Sequence, residues 1–239
     1  MSKTRHLRSN AISRRRQSAD ELLLWVLDGD GAPMPDWTGK AARLVGGRGV
    51  HLRPSADSIV DAVKRGVFRR AWGSDLKRES EGELLERLRD TALNTLNQRV
   101  GLAVRAGALS VGQASSSEAM AKSRRHGLLF IAADASEGNQ QKFARNGVRK
   151  GASVVTLRSG TDLGAPTGRG FVSVAWVDEG AFVNPLKRAC SALLGLPDSI
   201  ILGYESGAAA SAVQTGAPSG HAPVIGVTED LDAESSSGQ

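Results

Sequence analysis

Cysteine, aromatic side chains and long apolar runs are all scarce in this chain. Cys190 is the single cysteine in 239 residues, which excludes an intramolecular disulfide and a zinc site built from cysteine alone. Aromatic residues make up 4% of the chain, too few for a platform that stacks successive bases of a single strand. Trp25, Trp37, Trp72 and Trp176 lie in or beside apolar runs and read as core anchors. No window approaches the roughly 18 consecutive apolar residues of a membrane helix. Leu22–Leu27 is too short for a secretory apolar segment and follows Arg14-Arg15-Arg16 with no Ala-x-Ala behind it. His6, His51, His126 and His221 are scattered without metal-ligand spacing. Asp178 and Glu179 are adjacent, so on a helix they point apart and read as a helix start rather than an acid/base pair. These absences predict a soluble cytoplasmic protein that is not an enzyme, takes no cofactor and has no membrane partner.

Charge is present in quantity but unevenly distributed. The formal total is +6, made of +8 in residues 1–78, +3 in residues 79–198 and −5 in residues 199–239, the last without a single Lys or Arg. Such a gradient points to a polyanionic partner for the front of the chain. The densest cationic segment is Arg14-Arg15-Arg16. Lys40, Arg43 and Arg48 surround the Gly46-Gly47-Arg48-Gly49 loop, and Lys64 and Arg65 follow on a helix. Dispersed, reachable cations are what phosphate backbones need, because each neutralised phosphate releases counterions. Glycines on both sides of Arg48 let backbone N–H groups and a guanidinium approach one oxyanion. No Gly-Lys-Ser/Thr follows, so the loop is not of the nucleotide-binding Walker type.

The pattern along the chain divides it into four stretches. Residues 1–72 predict a small α+β module: a strand over Glu21–Leu27, the Asp28–Gly31 turn, a strand at Val50–Leu52, and a helix capped by Ser55 with Ile59, Val63 and Val67 on its core face. Residues 73–83 are charged and glycine-containing and read as a flexible linker. Residues 84–198 open with a long helix whose Leu85, Leu88, Ala92, Leu96, Val100 and Ala103 recur at spacings of three and four. Four apolar runs follow, Leu109–Val111, Leu128–Ala132, Ser153–Leu157 and Phe171–Val177, separated by helical segments and closed by a helix over 179–194. That alternation predicts an α/β fold, a three-layer α/β/α sandwich around a four-stranded sheet. Residues 199–239 are predicted to be a disordered acidic tail.

Two stretches carry resemblances to known families. Residues 7–72 resemble the YlxR family of small bacterial RNA-associated proteins, through the basic stretch before Glu21-Leu22-Leu23, the Asp30-Gly31 turn, Asp36 before Gly39-Lys40, Gly47-Arg48-Gly49 leading into Val50, and Lys64-Arg65-Gly66-Val67-Phe68. Where many relatives carry cysteines this chain has Asn10–Arg14, so a metal or redox role tied to them is absent. Residues 84–196 resemble the kink-turn-binding ribosomal-protein family, through Gly101-Leu102-Ala103, Ala106-Gly107, Gly112, Leu128–Ser136, Leu163-Gly164, Gly168-Arg169 and Asp178–Gly180.

The second resemblance implies an RNA-facing edge made of the helix start at Gly112–Ser117, with Ser115 among its hydroxyls, the Asp134–Gly138 turn, and the loop Leu163–Gly170 with Arg169. A helix start suits phosphates because its N–H groups lack partners. The chain departs from the kink-turn pattern at Ala114, Ser115 and Glu118, which favours general RNA affinity over kink-turn recognition. Lys142, Arg145 and Arg149, at i, i+3 and i+7, add a basic helix face. Structured RNA, ribosomal or transfer-RNA-processing, is the expected partner; DNA bound by a transcription-regulating or nucleoid protein is the alternative.

Overall fold

The computed structural model describes residues 7–40, 49–123, 126–178 and 180–205. Two short strands, β1 (Leu7–Ser9) and β2 (Arg16–Ser18), form an antiparallel hairpin with Leu7 opposite Ser18. A tight 3-10 turn, Ala19–Glu21, follows, so the strand expected from Glu21 begins at Leu23. That strand, β3 (Leu23–Leu27), is the centre of a second sheet between β4 (Pro33–Asp36) and β5 (Val50–Leu52), antiparallel to both. Pro33 and Pro35 are tolerated because β4 is an edge strand, where a residue without an N–H need not break a ladder. The turn between β3 and β4 is closed by the Asp28 carboxylate, which accepts from the N–H groups of Asp30 and Ala32 at 2.9 and 2.8 Å.

Helix α1 (Ala56–Lys64) starts where Ser55 accepts from the Ser58 N–H, and it ends before Gly66, whose φ of 59° is the left-handed conformation that stops a helix. Helix α2 (Val67–Trp72) places Phe68 against Trp25 and in a stack on Trp72, with ring centres 5.6 and 5.7 Å apart. The long helix α3 (Glu81–Arg105) opens with a capping box: the Ser80 hydroxyl accepts from the Glu83 N–H, and Glu83 Oε2 accepts from the Ser80 N–H at 2.7 Å. Its buried stripe is Leu84, Leu88, Ala92, Leu96, Val100 and Ala103; Leu85, expected in the core, is only half-buried.

The segment read as a flexible linker is tied down. The Lys77 N–H donates to the Gly31 carbonyl at 2.9 Å, Glu79 pairs with Arg87, and Arg87 also donates to the Pro33 carbonyl at 2.9 Å. From the other side, Arg188 donates to the Leu22 carbonyl at 3.4 Å. One cluster of buried apolar side chains runs without a break from Leu23, Trp25 and Phe68 through the α3 stripe to Leu193 and Ile201.

The remaining strands are β6 (Leu109–Val111), β7 (Leu128–Ala132), β8 (Ser153–Leu157), β9 (Val174–Val177) and β10 (Ile201–Glu205), in the order β10-β8-β7-β9-β6. Only β7 and β8 are parallel. The sheet therefore has five strands rather than the expected four, and the added one lies in the stretch expected to be disordered. Ile201 is buried, the register shifts between Ile201 and Gly203, and Leu202 is exposed; an edge strand with one buried face needs no continuous apolar run. Residues 206–239 lie outside the described part of the chain.

Helices cover both faces of this sheet. Between β6 and β9 run α4 (Gln113–Lys122), α5 (Glu137–Arg149) and α6 (Gly160–Thr167), and α7 (Val183–Leu193) precedes β10. Leu128, Phe130, Val155, Leu157 and Ala175 join the cluster that holds α3 and α7. Leu129, Ile131, Val154, Val174 and Trp176 form a second cluster with Met120 of α4 and Phe143 of α5. Helix α7 begins four residues later than expected. Asp178, read as part of its start, instead accepts from the Ser123 hydroxyl at 2.5 Å, and no side chain caps α7.

The unbroken core predicts one cooperative unfolding transition. Leu88→Ala should cost about 2–5 kcal/mol, and urea denaturation followed by tryptophan fluorescence should show a single step whose midpoint falls. Two steps, with only one displaced, would show that residues 73–83 join independently folding units.

Candidate nucleic-acid interface

The Arg14–Arg16 cluster owes its placement to one asparagine. Asn10 is buried at the top of the β1–β2 hairpin, where its Oδ1 accepts from the N–H groups of Ile12 and Ser13 at 2.9 and 3.2 Å and its Nδ2 donates to Gln17 at 2.9 Å. The Asn10 N–H donates to the Arg15 carbonyl, and the Ala11 N–H to the His51 carbonyl of β5. Arg14 takes a φ of 57° to close the loop, a conformation that costs a non-glycine residue about 1–2 kcal/mol. The result is a rigid knob from which Arg14, Arg15 and Arg16 project into solvent. Burial, then the neighbouring Arg8, hold the His51 imidazole below its ordinary pKa, so it adds no charge at neutral pH.

Lys40 is exposed at the end of a turn in which the Asp36 carboxylate accepts from the Thr38 and Gly39 N–H groups at 2.9 and 3.0 Å. Arg43 and Arg48, with Gly46 and Gly47 of the glycine loop, lie outside the described residues. Lys64 and Arg65 are exposed at the far end of α1, roughly 14 Å along the helix from its start. Arg65 approaches Asp61 at 3.9 Å, a surface pair of little energetic weight. Arg8 of the hairpin, Thr38 and Gly39 of the turn before Lys40, and Gly49 line one cavity, whereas Lys64 and Arg65 stand at the end of α1.

The second group is better focused. At one end of the five-stranded sheet the Gly112 N–H donates to the Val174 carbonyl at 2.8 Å, Ala132 to Ser173 at 2.9 Å and Ala133 to Leu157 at 2.8 Å. These bonds bring the last residues of β6, β7 and β8 together with the first of β9, so α4, α5 and α6 all start from the same edge. Gly112, with φ at 93°, precedes α4, and no side chain caps either α4 or α5. Their first N–H groups therefore point outward with the positive end of each helix dipole. Ser115 is exposed there, whereas Ser116 is buried and donates to the Ser110 carbonyl at 3.0 Å.

One expectation for this edge needs correction, and one of its groups is also engaged from within the fold. Asp134 is exposed in its turn. Its carboxylate accepts from the Ser159 hydroxyl at 2.7 Å and the Gly160 N–H at 2.8 Å, which hold its pKa below the ordinary carboxylate range and fix the start of α6. Leu163 and Gly164 are not in a loop; they are buried within α6, and a Cβ on Gly164 would lie 2.6 Å from the Arg169 carbonyl. The exposed run that follows α6 is Gly168–Phe171. Arg169 projects from it, its N–H bonded to Gly164 at 3.0 Å. Beside it Phe171, 52% exposed, lays its ring over Gly160. The sequence reading made Phe171 the start of a strand; β9 begins three residues later, and the flanking Gly168 and Gly170 were the signal for a loop.

Lys142, Arg145 and Arg149 are exposed along α5. They leave the edge rather than join it, since Arg149 lies roughly 18 Å along the helix from Glu137. Arg145 donates to the Gln141 carbonyl and Arg149 to the Asn146 side chain. Other acids share the edge with Asp134: Glu118 is paired with Lys122 at 2.6 Å, which lowers its pKa and locally balances its charge, Asp162 approaches Arg158 at 3.7 Å, and Glu137 opens α5. Among the described residues no cluster of His, Cys, Asp and Glu has the makings of a metal site, and no helix is long and apolar enough to cross a membrane.

No protein-family model matches the chain, and no curated protein matches it. Among solved structures it is similar to a protein of unknown function from Bacillus halodurans, at 21% identity over 39% of this chain and 94% of that one, with a TM-score of 0.37. A likeness of that degree lends no weight to any function.

The Asp134 contacts give a pH signature. A carboxyl whose folded pKa is depressed stabilises the fold above its unfolded pKa and loses that contribution as pH falls through the folded value. Asp134→Ala should therefore lower Tm by a few degrees at pH 7 and by progressively less as pH falls below about 4. An equal loss at pH 7 and pH 2 would mean that the carboxylate is not what holds α6.

Proposed function

We propose that this chain is a cytoplasmic RNA-binding protein of the translation or RNA-processing machinery, not an enzyme, and that it takes structured RNA on the sheet end where α4, α5 and α6 begin. The observation that carries this reading is the shared origin of three helices, two of them uncapped, beside an exposed arginine and an exposed aromatic ring. Phosphates meet outward N–H groups and Arg169, and Phe171 offers a face for an unstacked base. The helices on both faces of the sheet fit the α/β/α sandwich that the kink-turn-binding resemblance implies, and the resemblance puts RNA on this same edge. The Arg14–Arg16 knob supplies further phosphate contacts, in keeping with the YlxR resemblance of the first 72 residues.

In filter binding or fluorescence anisotropy with a folded RNA hairpin, Arg169→Glu and Arg15→Glu should each weaken binding several-fold. Each should also lower the slope of log affinity against log salt by about one. Phe171→Ala should weaken binding with the slope unchanged, because stacking releases no counterions. Unaltered slopes in both arginine variants, or full displacement of the RNA by duplex DNA at equal nucleotide concentration, would overturn the reading.

A further inference from the structure

A cleft of about 420 Å3 lies between α1, α2 and the segment that precedes α3. Its lining is apolar where it is deepest: Pro33, Phe68 and Leu84 are buried there and Leu76 is half-buried. Its rim is cationic, with Lys64, Arg69, Lys77 and Arg78 all exposed. The acid in the lining, Glu79, is taken by Arg87. Among the described residues none of the four rim cations forms an ion pair. An apolar trough edged by four unpaired cations fits a short peptide with an apolar stretch next to carboxylates.

The chain carries one such segment. Val224-Ile225-Gly226-Val227 is followed, after Thr228, by Glu229, Asp230, Asp232 and Glu234, four of the five acids after residue 198. We propose that residues 224–234 dock in this cleft of their own chain, apolar residues against Phe68 and Leu76 and carboxylates against the rim. Reach does not limit the contact. Residues 206–223 hold neither Lys, Arg, Asp nor Glu and extend to roughly 60 Å at about 3.3 Å per residue, more than the roughly 45 Å across a folded unit of this length. Tethering gives the segment an effective concentration in the millimolar range, so weak intrinsic affinity suffices. A docked segment covers Lys64 and lowers the positive field of the first 78 residues. It is therefore an internal competitor for polyanions, a role that rests on the RNA reading although the docking does not.

The test uses the full chain. Cys190 is fully buried, so a nitroxide placed through Ser236→Cys labels one site. In 50 mM salt without RNA, amide signals of Gly66, Leu76 and Lys77 should broaden. They should recover in 1 M NaCl and in the Lys77→Glu/Arg78→Glu variant. Unbroadened signals overturn the docking, as does broadening indifferent to salt and to the variant. Broadening seen only when spin-labelled chain is mixed with isotope-labelled, spin-free chain overturns it in favour of contact between copies. For the competitor role, Glu229→Gln/Asp230→Asn/Asp232→Asn/Glu234→Gln should tighten binding to an RNA hairpin about three- to tenfold at low salt. Equal affinity overturns that role, while RNA binding by neither chain defeats the proposed function and leaves the docking to the spin-label result.

Discussion

The apolar stripe of α3 is the constraint on which the molecule depends. A helix of 25 residues runs for about 37 Å, and its six buried side chains face a single cluster that extends from Trp25 to Ile201. Fully burying a Leu or Val is worth about 1.5–3 kcal/mol, so neither the first 72 residues nor the five-stranded sheet can withdraw from α3 without exposing part of the stripe. The polar ties fall at the same junction. Arg87 reaches back to the Pro33 carbonyl and Arg188 to the Leu22 carbonyl, two half-buried guanidiniums that donate to backbone on the opposite side. What the two family resemblances divide, the core joins.

That continuity bears on how the cationic surfaces act. Groups joined by a flexible tether bind in series, and each pays its own cost of ordering. Groups held on one core are preorganised, and ordering costs at the interface fall. The Asn10 loop shows the same economy on a smaller scale: five hydrogen bonds to one buried side chain and its backbone hold three adjacent arginines outward, against their mutual repulsion.

Legibility in the sequence followed the range of the interactions. The strand Leu128–Ala132 is buried at every residue, so it reads as an unbroken apolar run. The α3 stripe reads from its spacing, with only the exchange of Leu85 for Leu84. Ile201–Glu205 was hidden because an edge strand buries one face and bends at Gly203. Asp178 was misread for a different reason. It sits in a stretch that locally resembles a helix start, and it is claimed by a serine far away in sequence, Ser123. The exposure of the arginines was legible from charge alone. That the hairpin's Arg8, the Asp36 turn and Gly49 share one cavity was not, because it depends on where β3 and β5 bring them.

The two proposed anion-binding elements differ in how salt and competitors act on them. The arginine knob binds by counterion release, which any polyanion supplies, nucleic acid or acidic peptide alike. The sheet end adds aligned N–H groups, a guanidinium beside an aromatic face, and a shape that a short acidic peptide does not reproduce. An internal acidic competitor therefore subtracts more from indiscriminate binding than from binding of a folded RNA that engages the sheet end. Discrimination is a difference of affinities, and it grows when the shared, unselective part of the attraction is weakened. On this argument the opposite charges at the two ends of the chain act together: the +8 stretch supplies attraction, the −5 stretch discounts it, and the helix starts decide which polyanion remains bound.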